Sequence, residues 1–272
     1  RNAMTFNQIF TLWQPDMFTD NHTSNGADYQ YTITLIDAQK DKLDPNLAEL
    51  SQKRIVPQLF AKMQEKGWAM TPYVYSRGTP DTGIAGFLDL PRYSSGYAAL
   101  HNAFAFIPET HMLKPFKDRV GSTYDLMCSM LEILQEDSDA IKMARAKAIE
   151  NTRTKTTFDL NWSLDQSVVD TILFKGYTAK YKPSAISGQE RLYYDRSEPF
   201  EKPIPHFNTY KSTQSVAKPL AYIIPQAYWR VIERLQWNGV EMQQLTEDAA
   251  IPVEQYYIRN YESRRSPYEG HY

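Results

Sequence analysis

The chain has 272 residues, 42% hydrophobic and 23% charged, which is enough apolar side chain to build one large domain or two ordinary ones. Its formal net charge of −2 lacks the basic field that nucleic acid or an anionic membrane surface requires, so neither is expected as a partner. The single cysteine, Cys128, excludes an internal disulfide, and its place in an apolar helical pattern predicts a buried thiol.

In chain order, Phe6, Ile9, Phe10 and Trp13 recur at helical spacing and Pro15 ends the pattern, which predicts a short amphipathic helix. A short apolar run follows and is read as a strand ending at His22, with the turn Ser24-Asn25-Gly26 behind it. Tyr29 to Ile36 reads as a second strand. Asp44-Pro45 caps a helix carrying Leu47, Leu50, Ile55, Leu59 and Met63, closed by Gly67. Ala69 to Tyr75 is a further strand, and Gly78 to Gly86 is a turn segment that lacks the Gly-Lys-Ser/Thr ending of a phosphate loop. Phe104 to Glu109 is an apolar strand in which Pro108 predicts a bend before His111. Val120, Tyr124, Met127, Leu131 and Leu134 predict the buried stripe of one long helix, or two in line, running to about Asn151. The acidic break Glu136-Asp137-Ser138-Asp139 reads as a kink or cap.

From Thr156 the texture is β. Strands are expected at 157–162, 168–181, 190–194, 220–224, 240–245 and 253–260, with a helix after Pro225 capped by Asn238-Gly239. The division expected is a partial α/β domain over 1–155 and a smaller, mostly β domain over 156–272 with one helix. No run is apolar and long enough for a membrane span.

Two strand ends carry chemistry. A His at a strand end reaches into a cleft where a metal ligand would stand, although such an imidazole more often caps or packs, and Glu109 ends a second apolar strand that could share the crevice. Between them lie Asp89, Arg92, Tyr93, Ser95, Tyr97 and His101. A guanidinium matches two carboxylate oxygens and a phenol can donate to a developing oxyanion, so Arg92 with Tyr93 or Tyr97 is the candidate substrate group. The alternative is that Arg92 pairs with Asp89 and the tyrosines pack. His206 and His271 stand isolated and read as exposed.

The stretches Asp20-Asn21-His22-Thr23-Ser24-Asn25-Gly26-Ala27-Asp28-Tyr29-Gln30, Pro91-Arg92-Tyr93-Ser94-Ser95-Gly96-Tyr97 and Pro108-Glu109-Thr110-His111 resemble the zinc metallocarboxypeptidase family, in a branch common in Bacteroidetes-type bacteria. The resemblance covers residues 5–125 and implies the later half of a three-layer α/β/α mixed sheet. It implies His22 as the third zinc ligand, Glu109 as general base, and a peptide-like substrate with a free C-terminal carboxylate. The family's first two ligands come from a His-x-x-Glu motif; the chain contains none, and 21 residues precede His22. The chain by itself is therefore expected to hold no stoichiometric zinc, to be inactive, and to associate into a homo-oligomer. The other class is a non-catalytic peptide- or glycan-binding protein that keeps the cleft.

Overall fold

The computed structural model describes residues 2–263 and 265–267, so His271 lies outside the described residues. The architecture is α/β with a smaller, mostly β portion. Its centre is Phe104–His111 (β6), in which every residue is buried. Against one side of β6 lie two short parallel strands, Met17–Thr19 (β1) and His22–Ser24 (β2); against the other lies antiparallel Ile33–Asp37 (β3), followed by Met70–Pro72 (β4) parallel to β3.

The expected bend at Pro108 is absent, because the proline sits where it costs the sheet little. The carbonyl of Phe106 accepts from Asp20 N–H at 3.0 Å, so by strand alternation the position of Pro108 also faces β1 and β2. Register places Phe106 opposite Thr19 and Glu109 opposite His22, so Pro108 falls opposite the gap between the two short strands, where no ladder bond needs its missing N–H. The run expected to end at His22 is thus two strands, and His22 begins the second.

Alternation along β6 divides the core into two faces. Phe104 and Phe106, with Ile33 and Leu35, pack against the helices Pro45–Leu50 (α2), Val56–Glu65 (α3), Phe116–Glu136 (α5) and Ser138–Thr154 (α6). Ala103 and Ala105 pack on the opposite face against Phe10 of Asn2–Trp13 (α1) and Ala98 of Ser94–Leu100 (α4). The result is a three-layer α/β/α arrangement.

Asp44 caps α2 as expected, accepting from Asn46 N–H at 2.9 Å. The helix predicted as one rod contains a wider π turn at Ser51–Ile55 just before Pro57, whose ring and absent N–H cannot fit a regular α ladder. The long helix expected after Pro115 breaks at Asp137, which is buried and held by Arg54. On α5 the buried residues are Ser122, Leu126, Ser129, Met130 and Ile133. Val120, Tyr124 and Leu131 of the expected stripe are exposed instead, since the sheet took the neighbouring face of a helix that is apolar on two. Cys128 is only partly buried.

Beyond residue 156 the strands are Thr157–Leu164 (β7), Asp170–Pro183 (β8), Glu190–Phe207 (β9) and Tyr210–Ala217 (β10). β7 pairs with β10, and the long β8–β9 hairpin joins the short strand Ile84–Ala85 (β5). Phe174 and Ile204 from this hairpin enter a cluster with Tyr29, Tyr31 and Ile84. β9 extends well past the expected 190–194, through Pro199, Pro203 and Pro205. Gly86 N–H donates to the Phe207 carbonyl at 2.7 Å, so residues of that parity turn toward β5 and away from β8, and the prolines leave the β8 ladder intact.

No strand forms at 220–224, 240–245 or 253–260. Those segments are apolar enough for strands, but Leu220, Tyr222, Val240, Leu245, Val253 and Tyr257 are exposed and no neighbouring strand offers a ladder. The helix after Pro225 is Trp229–Trp237 (α7), closed by Gly239 at φ 68°. It rests on α1, where Asn7 donates to Asn238 at 3.1 Å. His206 is buried, not exposed, because β9 carries it between β5 and β8. Among the described residues no helix is long and apolar enough to cross a membrane.

Candidate active site

The in-register parallel pair of β2 and β6 sets His22 directly beside Glu109. His22 is half-exposed and its Nε2 lies 3.0 Å from Asp20 Oδ2. Ser94, the first residue of α4, donates its hydroxyl to the same Asp20 oxygen. Asp20 is thus held from behind and holds the imidazole in turn. This leaves Nδ1 as the ring nitrogen not engaged by Asp20, the arrangement by which a carboxylate fixes the orientation of a ligating or reacting histidine.

Glu109 is buried, with 8% of its surface exposed. Burial pushes its carboxyl pKa up; the His22 imidazole opposes that rise and the Asp20 carboxylate adds to it. Two phenols share its surroundings. Burial raises the pKa of Tyr29 to about 12 and also raises that of Tyr73, and the charge of Glu109 contributes to both shifts. Tyr29 Oη lies 3.3 Å from Ser24 Oγ.

His111, two residues beyond Glu109 on the same strand, is completely buried. Its Nδ1 accepts from Leu113 N–H at 3.1 Å, which leaves Nε2 to carry the proton and donate to the Ala27 carbonyl at 2.9 Å. Burial holds its pKa down, so it is a neutral structural brace that ties the end of β6 to the Asn25–Asp28 loop. That loop is fixed further by Asp28, which bonds Lys114 at 3.1 Å and Arg196 of β9 at 2.6 Å.

The other sequence candidates are divided. The Arg92 guanidinium stacks over Tyr93 at 4.7 Å from its ring centroid and donates to its hydroxyl, while Phe87 meets the Tyr93 ring edge-on at 4.9 Å. Tyr93 directly precedes Ser94, the residue whose hydroxyl bonds Asp20. Tyr97 lies elsewhere. Its ring packs 5.4 Å from Phe6 and 5.5 Å from Phe10 in the aromatic cluster beneath α1, so the structure does not bring it to Glu109. Asp89, considered as a partner of Arg92, is fully buried and pairs with Lys42 at 2.7 Å and with Ser95 at 2.7 Å. Asp20 and Ser94 were missed. Asp20 stands two residues before His22, a spacing that an extended chain puts on one side; nothing local marks Lys114 or Arg196.

No family model, curated protein or solved structure matches the chain.

The metal reading can be tested on the donor set itself. A zinc site takes three or four protein ligands, and among the described residues no group of three or more His, Cys, Asp and Glu is placed to hold a metal. His22 fits as one ligand through Nδ1, but the described residues do not complete the set. What the arrangement supplies by itself is a buried, basic carboxylate beside an oriented imidazole at the edge of a sheet.

Proposed function

We propose that this chain carries the proton-transferring half of a carboxypeptidase-like hydrolytic site, acting on peptides or related amides. The observation that supports this most is the register of β2 against β6, which sets His22 and Glu109 side by side with Asp20 bonded to the imidazole. A carboxylate made more basic by burial is suited to take a proton from an attacking water and return it to a leaving amine. Zinc belongs to this proposal through the resemblance alone, with His22 as one of the ligands it would take. Arg92, stacked on Tyr93, is the proposed clamp for a substrate carboxylate.

The test is hydrolysis of matched free-acid and amidated peptides by the protein. Glu109→Gln keeps size and hydrogen-bonding shape but accepts no proton, so turnover should fall by roughly two to four orders of magnitude with substrate binding nearly unchanged. Full activity in Glu109→Gln would refute the role. Arg92→Ala should weaken binding of the free acid much more than of the amide, and an equal loss on both would remove Arg92 from the site. The incomplete ligand set favours a second reading, a peptide- or glycan-binding protein without turnover, which the same assay identifies as binding without hydrolysis by the unaltered protein.

A further inference from the structure

A cleft of about 710 Å³ opens between the Asn25–Asp28 loop, the Tyr73–Gly78 segment and residues Arg191–Arg196 of β9. It neighbours the candidate site through the loop that follows β2 and through Tyr73. Tyr73, Tyr75, Tyr193 and Tyr194 line it. Its charge runs against that of the protein. Asp28 is the one acid among the lining residues, and it is already shared by Lys114 and Arg196, one carboxylate against two cations. Arg191 also lines the cleft and is bonded to no carboxylate among the described residues, while Lys182 on the paired strand lies 4.5 Å above the Tyr193 ring. The charged residues that line the recess are thus one acid against two arginines, a small positive excess carried by Arg191 in a chain of net charge −2.

We propose that this cleft is a subsite for an acidic side chain of a peptide, a glutamate or aspartate, with Arg191 and Arg196 as its charge partners and Tyr75 and Tyr193 as the flanking walls. The proposal rests on the peptide reading above and names the class of peptide. Guanidinium groups meet carboxylates in a bidentate fork, and tyrosine adds contact area and a hydroxyl at low entropic cost. Arg196 has its Nε committed to Asp28 and one terminal nitrogen to the Leu113 carbonyl at 3.1 Å; its side chain is nonetheless 54% exposed. It therefore arrives in the cleft already oriented. Arg191 is the group left to move onto the ligand.

The experiment is titration calorimetry of the chain, and of its Glu109→Gln variant, with a short peptide blocked at both ends carrying two central glutamates, and with its glutamine counterpart. The glutamate peptide should bind at least about tenfold more tightly at low salt, with the preference shrinking at high salt because the site is open to solvent. Arg191→Gln should abolish the preference while leaving the melting temperature unchanged. Since Arg196 also holds Asp28, Arg196→Lys serves as the second variant, keeping a cation but losing the fork, and should reduce the preference. Equal affinity for the two peptides, or no binding of either, would overturn the proposal. A preference that survives Arg191→Gln would overturn it too, and displacement of the peptide by an acidic oligosaccharide that binds more tightly would reassign the cleft to carbohydrate. Binding is read without turnover, so a glutamate preference in a protein that never hydrolyses peptides sinks the catalytic reading and leaves the subsite standing.

Discussion

Glu109 works against the fold that holds it. Its folded pKa is raised above the unfolded one, so the stability it contributes is present below the unfolded value near 4.3 and is lost as pH rises through the folded value. At neutral pH a buried carboxylate is therefore a burden. Glu109→Gln should raise stability by about 1 kcal/mol, and under the proposed function it should also lower turnover, the opposed signs expected of a group kept for chemistry. Denaturant midpoints of the two proteins at pH 7.5 check this, and a less stable variant would contradict it. Three histidines, His111 and His206 buried and His101 partly so, act in the other sense. Burial lowers the pKa of His101, His111 and His206, so in the folded chain each binds a proton less readily than in the unfolded one. Their contribution is complete above the unfolded value near 6.5 and is lost as pH falls below it, by at most about 1.4 kcal/mol per pH unit for each proton taken up on unfolding. Urea midpoints followed from pH 7.5 to 5 should show a shallower fall for His111→Gln than for the unaltered chain; identical slopes would show that His111 is not among the groups responsible. His22 and Glu109 were legible as a pair from the apolar runs that precede each, although neither ends a strand: His22 opens β2, and β6 runs on to His111. Asp28, Lys114 and Arg196 were not, because their meeting depends on a hairpin 82 residues beyond Lys114, from 196 − 114, docking on a loop near the start of the chain.

At the scale of elements, α4 is anchored by contacts that allow no extra atom. A Cβ on Gly96 would lie 2.2 Å from the Asp89 carbonyl oxygen and 2.3 Å from that of Leu90, both backbone atoms. Gly96→Ala should therefore cost several kcal/mol, at or beyond the upper end of the roughly 1–3 kcal/mol typical of overpacking, because α4 must move away from the segment before it. A melting temperature within a degree of the unaltered chain would show that the segment yields. The same movement would draw Ser94 off Asp20, so the imidazole should lose its orientation along with the helix. Several helix ends were legible from capping, as at Asp44 and Gly239, but α4 was not, since Ser94–Leu100 carries no cap signal and only a short apolar pattern. The strands were less so, for reasons that lie in proline and in partners. Pro108 and the prolines of β9 look like breakers until the direction of each missing N–H is known. The tail segments 220–224 and 240–245 look like strands until the absence of a neighbouring strand is known.

For the whole molecule the sequence announced an α/β layer followed by β structure, and the coordinates add how the two meet. β5 lies in the first and pairs with β9 of the second, and Tyr29 bridges to Gly176. The surface carries apolar side chains that this packing leaves uncovered, among them Phe116, Val120, Tyr124 and Leu131 along α5. Exposed apolar area of that kind favours association. Light scattering at tens of micromolar should return a dimer or larger species, and a clean monomer of 31.5 kDa would count against it. The segment after α7 contributes no buried residue to the core, so limited proteolysis should cut first between residues 240 and 263 and leave the rest intact.

The prolines of β9 bear on which kind of association is open to the chain. Positions 199, 201, 203 and 205 share the parity of Phe207 and face away from β8, and of these only Glu201 has an N–H to give. A long hairpin margin is ordinarily a template on which a foreign strand can zip, the first step toward fibrils. This margin has had most of its donors deleted, so an incoming strand would find acceptors without their complementary donors. Along this stretch of β9, strand-to-strand pairing is therefore disfavoured, and association through it would have to use side chains.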